Sequence, residues 1–224
     1  MSIVKIKDVN YSIIDGSSMR RILNNVTLDI GRGNITLIYG PSGSGKTTLL
    51  YAISGMLDTL QSGEIIIDGT SLYKLKQHER DKFRLSNMGL VFQNLNLFPH
   101  MNVMENVFMP VYANNKKPGC KEINKLKELL NLMDLPECID KPVHNLSGGE
   151  QQRIAIIRAF ITDPPIVICD EPTANLDRSN SIIFYKKLNS LAKTTNCAVI
   201  MVSHDELAKN YCDYSFNFTD GSIK

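Results

Sequence analysis

Short runs of apolar residues alternate along this chain with amphipathic or charged stretches. The apolar runs predict buried strands at Ile35–Tyr39, Gly89–Phe92, Ile166–Cys169 and Cys197–Val202. The other stretches predict helices at Thr47–Met56, Gln77–Ser86, Met104–Met109, Ile123–Met133, Glu150–Ile161, Asn180–Ala192 and Asp205–Asn210. Because strands alternate with helices, we expect an α/β fold with a mainly parallel sheet covered on both faces.

The N-terminal part of the chain has a different pattern, which predicts a separate antiparallel β layer. Ile3–Val9 alternates between apolar and polar residues, and Thr27–Ile30 and Gly63–Asp68 read as further strands. The stretch Asp15–Arg21 is polar and predicts a loop. At the other end, Tyr214 to Phe218 and the residues from Ser222 onward are expected to form closing strands.

Helical pattern is concentrated in the middle of the chain, where prolines separate the segments. We interpret residues 93–163 as a helical subdomain. It would be inserted into a core formed by residues 1–92 and 164–224.

Composition narrows the functional classes. The chain has 224 residues, is 43% hydrophobic and 21% charged, and has a formal net charge of +2. This balance gives no reason to expect nucleic-acid binding. The five cysteines include no C-x-x-C pair, which is typical of a reducing cytosol. We find neither a signal peptide nor an apolar run of the roughly 20 residues that a membrane span needs.

One glycine-rich stretch lies between a predicted strand and a predicted helix, which is the setting of a phosphate-binding P-loop. Its residues are Gly40, Pro41, Ser42, Gly43, Ser44, Gly45, Lys46 and Thr47, followed by Thr48. Glycines let backbone N–H groups converge on phosphate oxygens, and the helix dipole favours the same charge. We expect Lys46 to contact the β- and γ-phosphates of ATP, and the Thr47 hydroxyl to bind Mg²⁺. The fold class is then a P-loop NTPase.

A pair of carboxylates follows the apolar strand Ile166–Cys169. Asp170 stands at the carboxyl end of that strand, where α/β sheets bind ligands, and is expected to hold Mg²⁺. Glu171 comes next and points to the other side, so it is the candidate general base for hydrolysis. The alternative for such a pair is an acidic turn at a strand end.

A second glycine-containing string begins another predicted helix. Ser147, Gly148, Gly149 and Glu150 fit a capping box, in which serine and glutamate satisfy the first turn. A capping box does not require two glycines, and exposed N–H groups at a helix start suit a second phosphate. Two phosphate cradles in one chain favour a two-fold homodimer, in which each ATP contacts the P-loop of one copy and Ser147–Gly149 of the other.

These residues, in this order, resemble the nucleotide-binding subunit of an ABC transporter over essentially the whole chain. The resemblance rests on Gly40–Thr47, Gln93, Leu146–Glu150, Asp170–Glu171, Asn175–Asp177 and His204. It implies that Gln93 senses metal and water, that Asp177 communicates across the dimer, and that His204 contacts the γ-phosphate. Tyr11 resembles the aromatic residue that stacks on adenine, although packing on a sheet face is an equal alternative.

The stretches Phe92–His100 and Met104–Val107 resemble the subgroup for lipoprotein release, macrolide and antimicrobial-peptide export, and haem efflux. This implies an ATPase that drives separate integral membrane permease subunits from the cytoplasmic face. Leu95, Leu97 and Phe98 would line the groove for a permease helix, or else belong to the core.

Two other functions stay open. A regulatory ATPase would actuate a membrane cell-wall or sensor complex without moving a solute. A soluble family member acting on ribosomes or DNA is disfavoured by the near-neutral charge. The chain departs from the usual pattern at Ala174–Asn175, where a serine or glycine followed by alanine is common.

Overall fold

An antiparallel sheet forms the N-terminal layer of the computed structural model, which describes residues 2–16 and 18–224. Its strands are β1 (Ser2–Asp15), β2 (Ser18–Gly31), β4 (Ser62–Ile67) and β5 (Thr70–Ser71), in the order β2-β1-β4-β5. All neighbouring pairs are antiparallel. The predicted antiparallel layer is therefore confirmed.

A second sheet carries the carboxyl ends at which the candidate chemistry lies. Its strands are β3 (Ile35–Tyr39), β6 (Met88–Val91), β7 (Ile166–Asp170), β8 (Ala198–Ser203), β9 (Tyr214–Thr219) and β10 (Ser222–Ile223). The order is β10-β9-β3-β8-β7-β6, and only the β9–β10 pair is antiparallel. The central strands are buried along nearly their whole length, as their unbroken apolar runs predicted.

Six α-helices complete the described elements of regular structure, together with short 3₁₀ turns. They are α1 (Lys46–Ile53), α2 (Gln77–Asn87), α3 (Val103–Ala113), α4 (Cys120–Leu132), α5 (Gly148–Phe160) and α6 (Arg178–Thr195). The segment predicted as a helix at Asp205–Asn210 is a 3₁₀ helix over Glu206–Tyr211. No helix in the described ranges is both long and apolar enough to cross a bilayer.

Two hydrophobic cores lie on opposite faces of the parallel sheet. One buries α1 and the inner face of the antiparallel layer. The other buries residues of α3, α4, α5 and α6, so the helices between β6 and β7 share a core with the sheet. The division into a core and a helical subdomain at residues 93–163 stays a prediction.

The prediction of a loop at Asp15–Arg21 is wrong, because β1 and β2 continue as a long hairpin. Ile14 pairs with Met19, and the turn lies at Gly16. The side chains of Ile14 and Met19 are 83% and 73% exposed. Because neither is buried in a core, the sequence shows no regular apolar pattern here. Backbone pairing between the strands holds this part of the hairpin instead.

Candidate active site

The P-loop connects β3 to α1 along a path that requires glycine at two positions. A Cβ atom on Gly40 would lie 2.0 Å from the carbonyl oxygen of Phe218 in β9. Gly45 precedes α1 with φ +103°, and a Cβ there would lie 2.8 Å from the carbonyl oxygen of Ile22 in β2. Neighbouring backbone on both sides therefore fixes the position of the loop.

The groups at the start of α1 fit a phosphate. No side chain caps this N-terminus, so its N–H groups stay available for an anion. The Lys46 ammonium is buried and donates to the carbonyl oxygens of Gly40 and Pro41, each at 2.8 Å. An ammonium has three N–H bonds, so one is left for a ligand. The buried Ser44 hydroxyl has no partner within the described residues, and it also suits a phosphate oxygen.

Thr47 and Asp170 meet beside the loop and supply the oxygen atoms that Mg²⁺ prefers. The Thr47 hydroxyl donates to Asp170 Oδ1 at 3.3 Å. Burial raises the pKa of the Asp170 carboxyl, so a bound cation would favour its charged form. Over residues 2–16 and 18–224, no group of three or more His, Cys, Asp or Glu is arranged to hold a metal.

Glu171 directly contacts His204. Its backbone has φ +45°, an uncommon left-handed conformation, and its N–H donates to the Val202 carbonyl oxygen at 3.0 Å. Its Oε2 lies 2.9 Å from His204 Nδ1 and 3.3 Å from the backbone nitrogen of His204. An ionised carboxylate only accepts hydrogen bonds, so Nδ1 donates. The Glu171 side chain is 15% exposed, whereas that of His204 is 68% exposed.

One cleft of about 420 Å³ brings nine of the predicted residues together. They come from four separate parts of the chain. The lining residues are Arg20, Ile22, Ser42, Gly43, Gly45, Lys46, Thr47, Thr48, Gln93, Glu171 and His204. The volume suits a nucleotide-sized ligand, since small-molecule sites typically span about 300–1,000 Å³.

Arg20 and Ile22 were missed by the sequence reasoning. Both belong to the part of β2 near the hairpin, and Arg20 fell in the stretch predicted as a loop. The adjacent basic pair Arg20–Arg21 upstream of the P-loop was the available signal. Tyr11 is not among the residues that line the cleft and packs half-buried against the core under the antiparallel layer. Its stacking on adenine stays a prediction.

Ser147 is the N-cap of α5 and forms a capping box with Glu150. Glu150 Oε2 accepts from the backbone N–H and the hydroxyl of Ser147, both at 2.7 Å, and these bonds lower the pKa of Glu150. Ser147 and Gly148 are exposed, and a Cβ on Gly148 would meet nothing within 4 Å. None of Ser147–Glu150 lines the cleft that holds the P-loop. Within one copy the two cradles therefore form separate sites.

Asp177 lies next to this second cradle. It caps α6 by accepting from the backbone N–H of Asn180 at 2.8 Å, and these local hydrogen bonds lower the pKa of its carboxyl. A Cβ on Gly149 would lie 3.0 Å from Asn180 Oδ1. The starts of α5 and α6 therefore share one exposed surface, which carries Ser147 and Asp177.

The apolar residues after Gln93 divide between two environments. Leu95 and Leu97 pack against the helical core, whereas Phe98 is 46% exposed. A separate groove of about 500 Å³ runs between α2, β6, α3 and α5. Its lining includes Leu85, Leu90, Phe92, Asn96, Met109, Pro110 and Ala159 but none of these three residues. Leu95 and Leu97 therefore fit the alternative of subdomain core. That Phe98 lines the groove for a permease helix stays a prediction.

Comparisons with known proteins agree with this geometry. The family model described as "ABC transporter" matches residues 23–174. A curated relative, the lipoprotein-releasing system ATP-binding protein LolD of Colwellia psychrerythraea, is 35% identical over 96% of this chain and 83% of its own length. The bacitracin export ATP-binding protein BceA of Halalkalibacterium halodurans is 33% identical over 100% of this chain and 87% of its own.

A solved structure has a similar fold over nearly the whole chain. The ATP-binding cassette MJ0796, described as a dimeric post-hydrolysis state bound to ADP and Pi, has a TM-score of 0.87 and 33% identity. The match covers 99% of this chain and 96% of that chain.

Proposed function

The chain belongs to the ABC transporter family, and from that premise we propose that it is the ATP-hydrolysing subunit of an export system. Two copies bind two ATP molecules between them, and hydrolysis lets the copies separate. A separate membrane permease converts this opening and closing into transport. Closure does work only because the dimer binds ATP more tightly than ADP.

The separation of the two phosphate cradles carries this proposal. The cleft contains the P-loop, Gln93, Glu171 and His204, whereas Ser147 lies outside it on an exposed helix start. A second copy, related by a two-fold axis, can supply Ser147–Gly149 to the open side of the cleft. The dimeric assembly of the MJ0796 cassette supports this arrangement.

Within each cleft the residues take distinct roles in the proposed reaction. Lys46 and the N–H groups at the start of α1 orient the phosphates. Thr47, Asp170 and Gln93 would hold Mg²⁺, which would neutralise charge on the phosphate oxygens. Glu171 accepts a proton from the attacking water, and His204 contacts the γ-phosphate.

The apolar groove between α2, β6, α3 and α5 is the proposed docking site for a cytoplasmic helix of the permease. Its exposed apolar lining would be covered by such a helix, which is the usual mode of helix-in-groove recognition. The chain would then act at the cytoplasmic face of the membrane. Residues 93–163 would move as a helical subdomain and transmit the change in the nucleotide site.

Size-exclusion chromatography tests the composite site. In a Glu171→Gln background, which should retain ATP, we expect ATP and Mg²⁺ to convert monomer to dimer. Adding Ser147→Arg should abolish the dimer while the monomer still binds ATP. Ser190→Arg is a matched control, because Ser190 is exposed near the other end of α6, far from the surface that carries Ser147 and Asp177. A dimer that survives Ser147→Arg would contradict the proposal.

Co-purification with membrane proteins tests the partner. We expect a permease to be retained, and Leu90→Arg in the groove to release it without changing the ATP-driven dimerisation of the isolated chain. Retention of a membrane complex in which ATP hydrolysis moves no solute would favour the regulatory ATPase instead.

A further inference from the structure

A buried chain of hydrogen bonds lies behind the Glu171–His204 pair. Thr173 Oγ1 is 2.7 Å from the hydroxyl of Tyr185, and that hydroxyl is 3.1 Å from Asp205 Oδ2. Thr173 is 6% exposed and Tyr185 is 1% exposed. Breaking such a chain is costly, because a buried polar group without a partner loses its hydrogen bond to water as well.

The chemistry of the groups fixes the direction of these bonds. Asp205 as a carboxylate only accepts, so the single Tyr185 proton is donated to it. The Tyr185 oxygen is then an acceptor, and the Thr173 hydroxyl donates to it. Burial also raises the pKa of Tyr185, which keeps the phenol protonated. The hydrogen bonds therefore run in one direction, from the Thr173 hydroxyl to the Tyr185 hydroxyl and from there to the Asp205 carboxylate.

The two ends of this hydrogen-bond chain belong to the segments that carry the candidate catalytic groups. Thr173 follows Glu171 by two residues, and Asp205 directly follows His204. We propose that the Tyr185 hydroxyl is a positioning group that sets the distance between the Glu171 carboxylate and the His204 imidazole. This inference rests on the proposed ATPase function and adds to it a residue on α6 that does not line the cleft.

The Asp205 end is held firmly enough to transmit such a constraint. Asp205 Oδ1 accepts from the Leu207 N–H at 2.9 Å, and the Asp205 N–H donates to the Ser203 hydroxyl at 3.0 Å. These bonds join the end of β8 to the following 3₁₀ helix. A shift of Asp205 toward or away from Tyr185 therefore moves the adjacent His204.

Packing of the Tyr185 ring is separate from this role, so the two can be tested apart. The ring stacks on Tyr211 with centroids 5.5 Å apart and meets Phe184 edge-on at 5.7 Å. Tyr185→Phe keeps both ring contacts and removes only the hydroxyl. Tyr211→Phe is the matched control, since it removes a phenol oxygen from the stacked partner and leaves the three-membered chain intact.

We expect Tyr185→Phe to lower kcat for ATP hydrolysis by about tenfold, because small misplacements of reacting groups are costly. The KM for ATP should stay within about twofold, since the hydroxyl makes no contact with the P-loop. Thr173→Val removes the other end of the chain and should reproduce the loss. Tyr211→Phe should retain wild-type kcat. If Tyr185→Phe and Thr173→Val both turn over like wild type, the proposal is overturned.

A double-mutant cycle with His204→Ala separates positioning from general destabilisation. If Tyr185 acts through the Glu171–His204 pair, its effect on kcat should shrink to less than about twofold once His204 is absent. If Tyr185→Phe lowers the melting temperature and still lowers kcat by the same factor in the His204→Ala background, Tyr185 has only a structural role.

The imidazole ¹⁵N shifts of His204 give a readout that does not need turnover. In wild type we expect the signature of an Nδ1–H bound to a carboxylate, and Tyr185→Phe should weaken it. Unchanged shifts would overturn the positioning role. A wild-type chain that hydrolyses no ATP would contradict the proposed function alone, because the shifts would still decide the positioning.

Discussion

Glu171 Oε2 accepts a hydrogen bond from Nδ1 of His204 at 2.9 Å. The contact joins the end of β7 to the end of β8, which are neighbours in the parallel sheet. Glu171 makes this contact from a left-handed backbone conformation, with φ +45°. The imidazole keeps Nε2 for a second partner, so one residue can contact both the carboxylate and a bound ligand.

Glu171→Gln should retain ATP binding and lose most turnover. The amide has nearly the shape of the carboxylate but is a far weaker base, so the attacking water keeps its proton. Loss of one transition-state group typically costs about 10²–10³-fold in rate. Steady-state hydrolysis and nucleotide-binding titrations check this. A variant that hydrolyses ATP at the wild-type rate would show that Glu171 is not the base.

His204→Ala should lower kcat by about 10–100-fold, which is the effect expected for losing one hydrogen bond to a charged group. Its side chain is 68% exposed, so the melting temperature should stay close to that of wild type. His78→Ala is the control, because His78 is exposed on α2 and does not line the cleft. Equal kcat values for His204→Ala and His78→Ala would show that His204 takes no part in the reaction.

Gly40→Ala should destabilise the fold by about 1–3 kcal/mol or more, because the new methyl group would overlap the Phe218 carbonyl oxygen. Gly148→Ala is the matched change, since its methyl group meets nothing within 4 Å. We expect its unfolding free energy to stay within about 0.5 kcal/mol of wild type. Urea unfolding of the isolated chain measures both. Equal stability of the two variants would contradict the close packing of the P-loop against β9.

Asp170→Asn should stabilise the nucleotide-free chain at neutral pH and abolish Mg²⁺-dependent ATP binding. Burial raises the pKa of Asp170 above its ordinary value of 3.8, so the folded chain holds that proton more tightly than the unfolded chain does. The carboxylate then penalises folding as the pH rises through the raised pKa, and the penalty vanishes below about 3.8. Melting temperatures of the variant and wild type should therefore converge toward acid pH. A constant difference across this range would contradict the shift.

The strands at the centre of the fold could be predicted because burial on both faces leaves an unbroken apolar run, as in Ile166–Cys169. The hairpin around Gly16 could not be predicted in the same way. It is held by backbone pairing, and the Ile14 and Met19 side chains face solvent, so polar and apolar residues follow no regular period there. As a result Arg20 and Ile22 were missed as cleft residues.

For the candidate site, motif spacing predicts the P-loop and the pair Asp170–Glu171, because each is local in sequence. Contacts between segments that lie far apart in the sequence could not be predicted from it. The Glu171–His204 bond depends on which strands are adjacent, and the Tyr185 chain depends on how α6 packs behind them. An isolated tyrosine in an amphipathic helix gives no sign of a buried partner.

The proposed ATPase cycle requires one nucleotide to be held between two copies of the chain. A structure of the Glu171→Gln protein with ATP and Mg²⁺ measures this directly. We predict that the Ser147 hydroxyl of one copy lies within hydrogen-bond distance of the γ-phosphate bound at the other copy's Lys46. An ATP-bound structure in which Leu146–Glu150 lies far from every triphosphate, in its own copy and in any neighbour, would contradict the account.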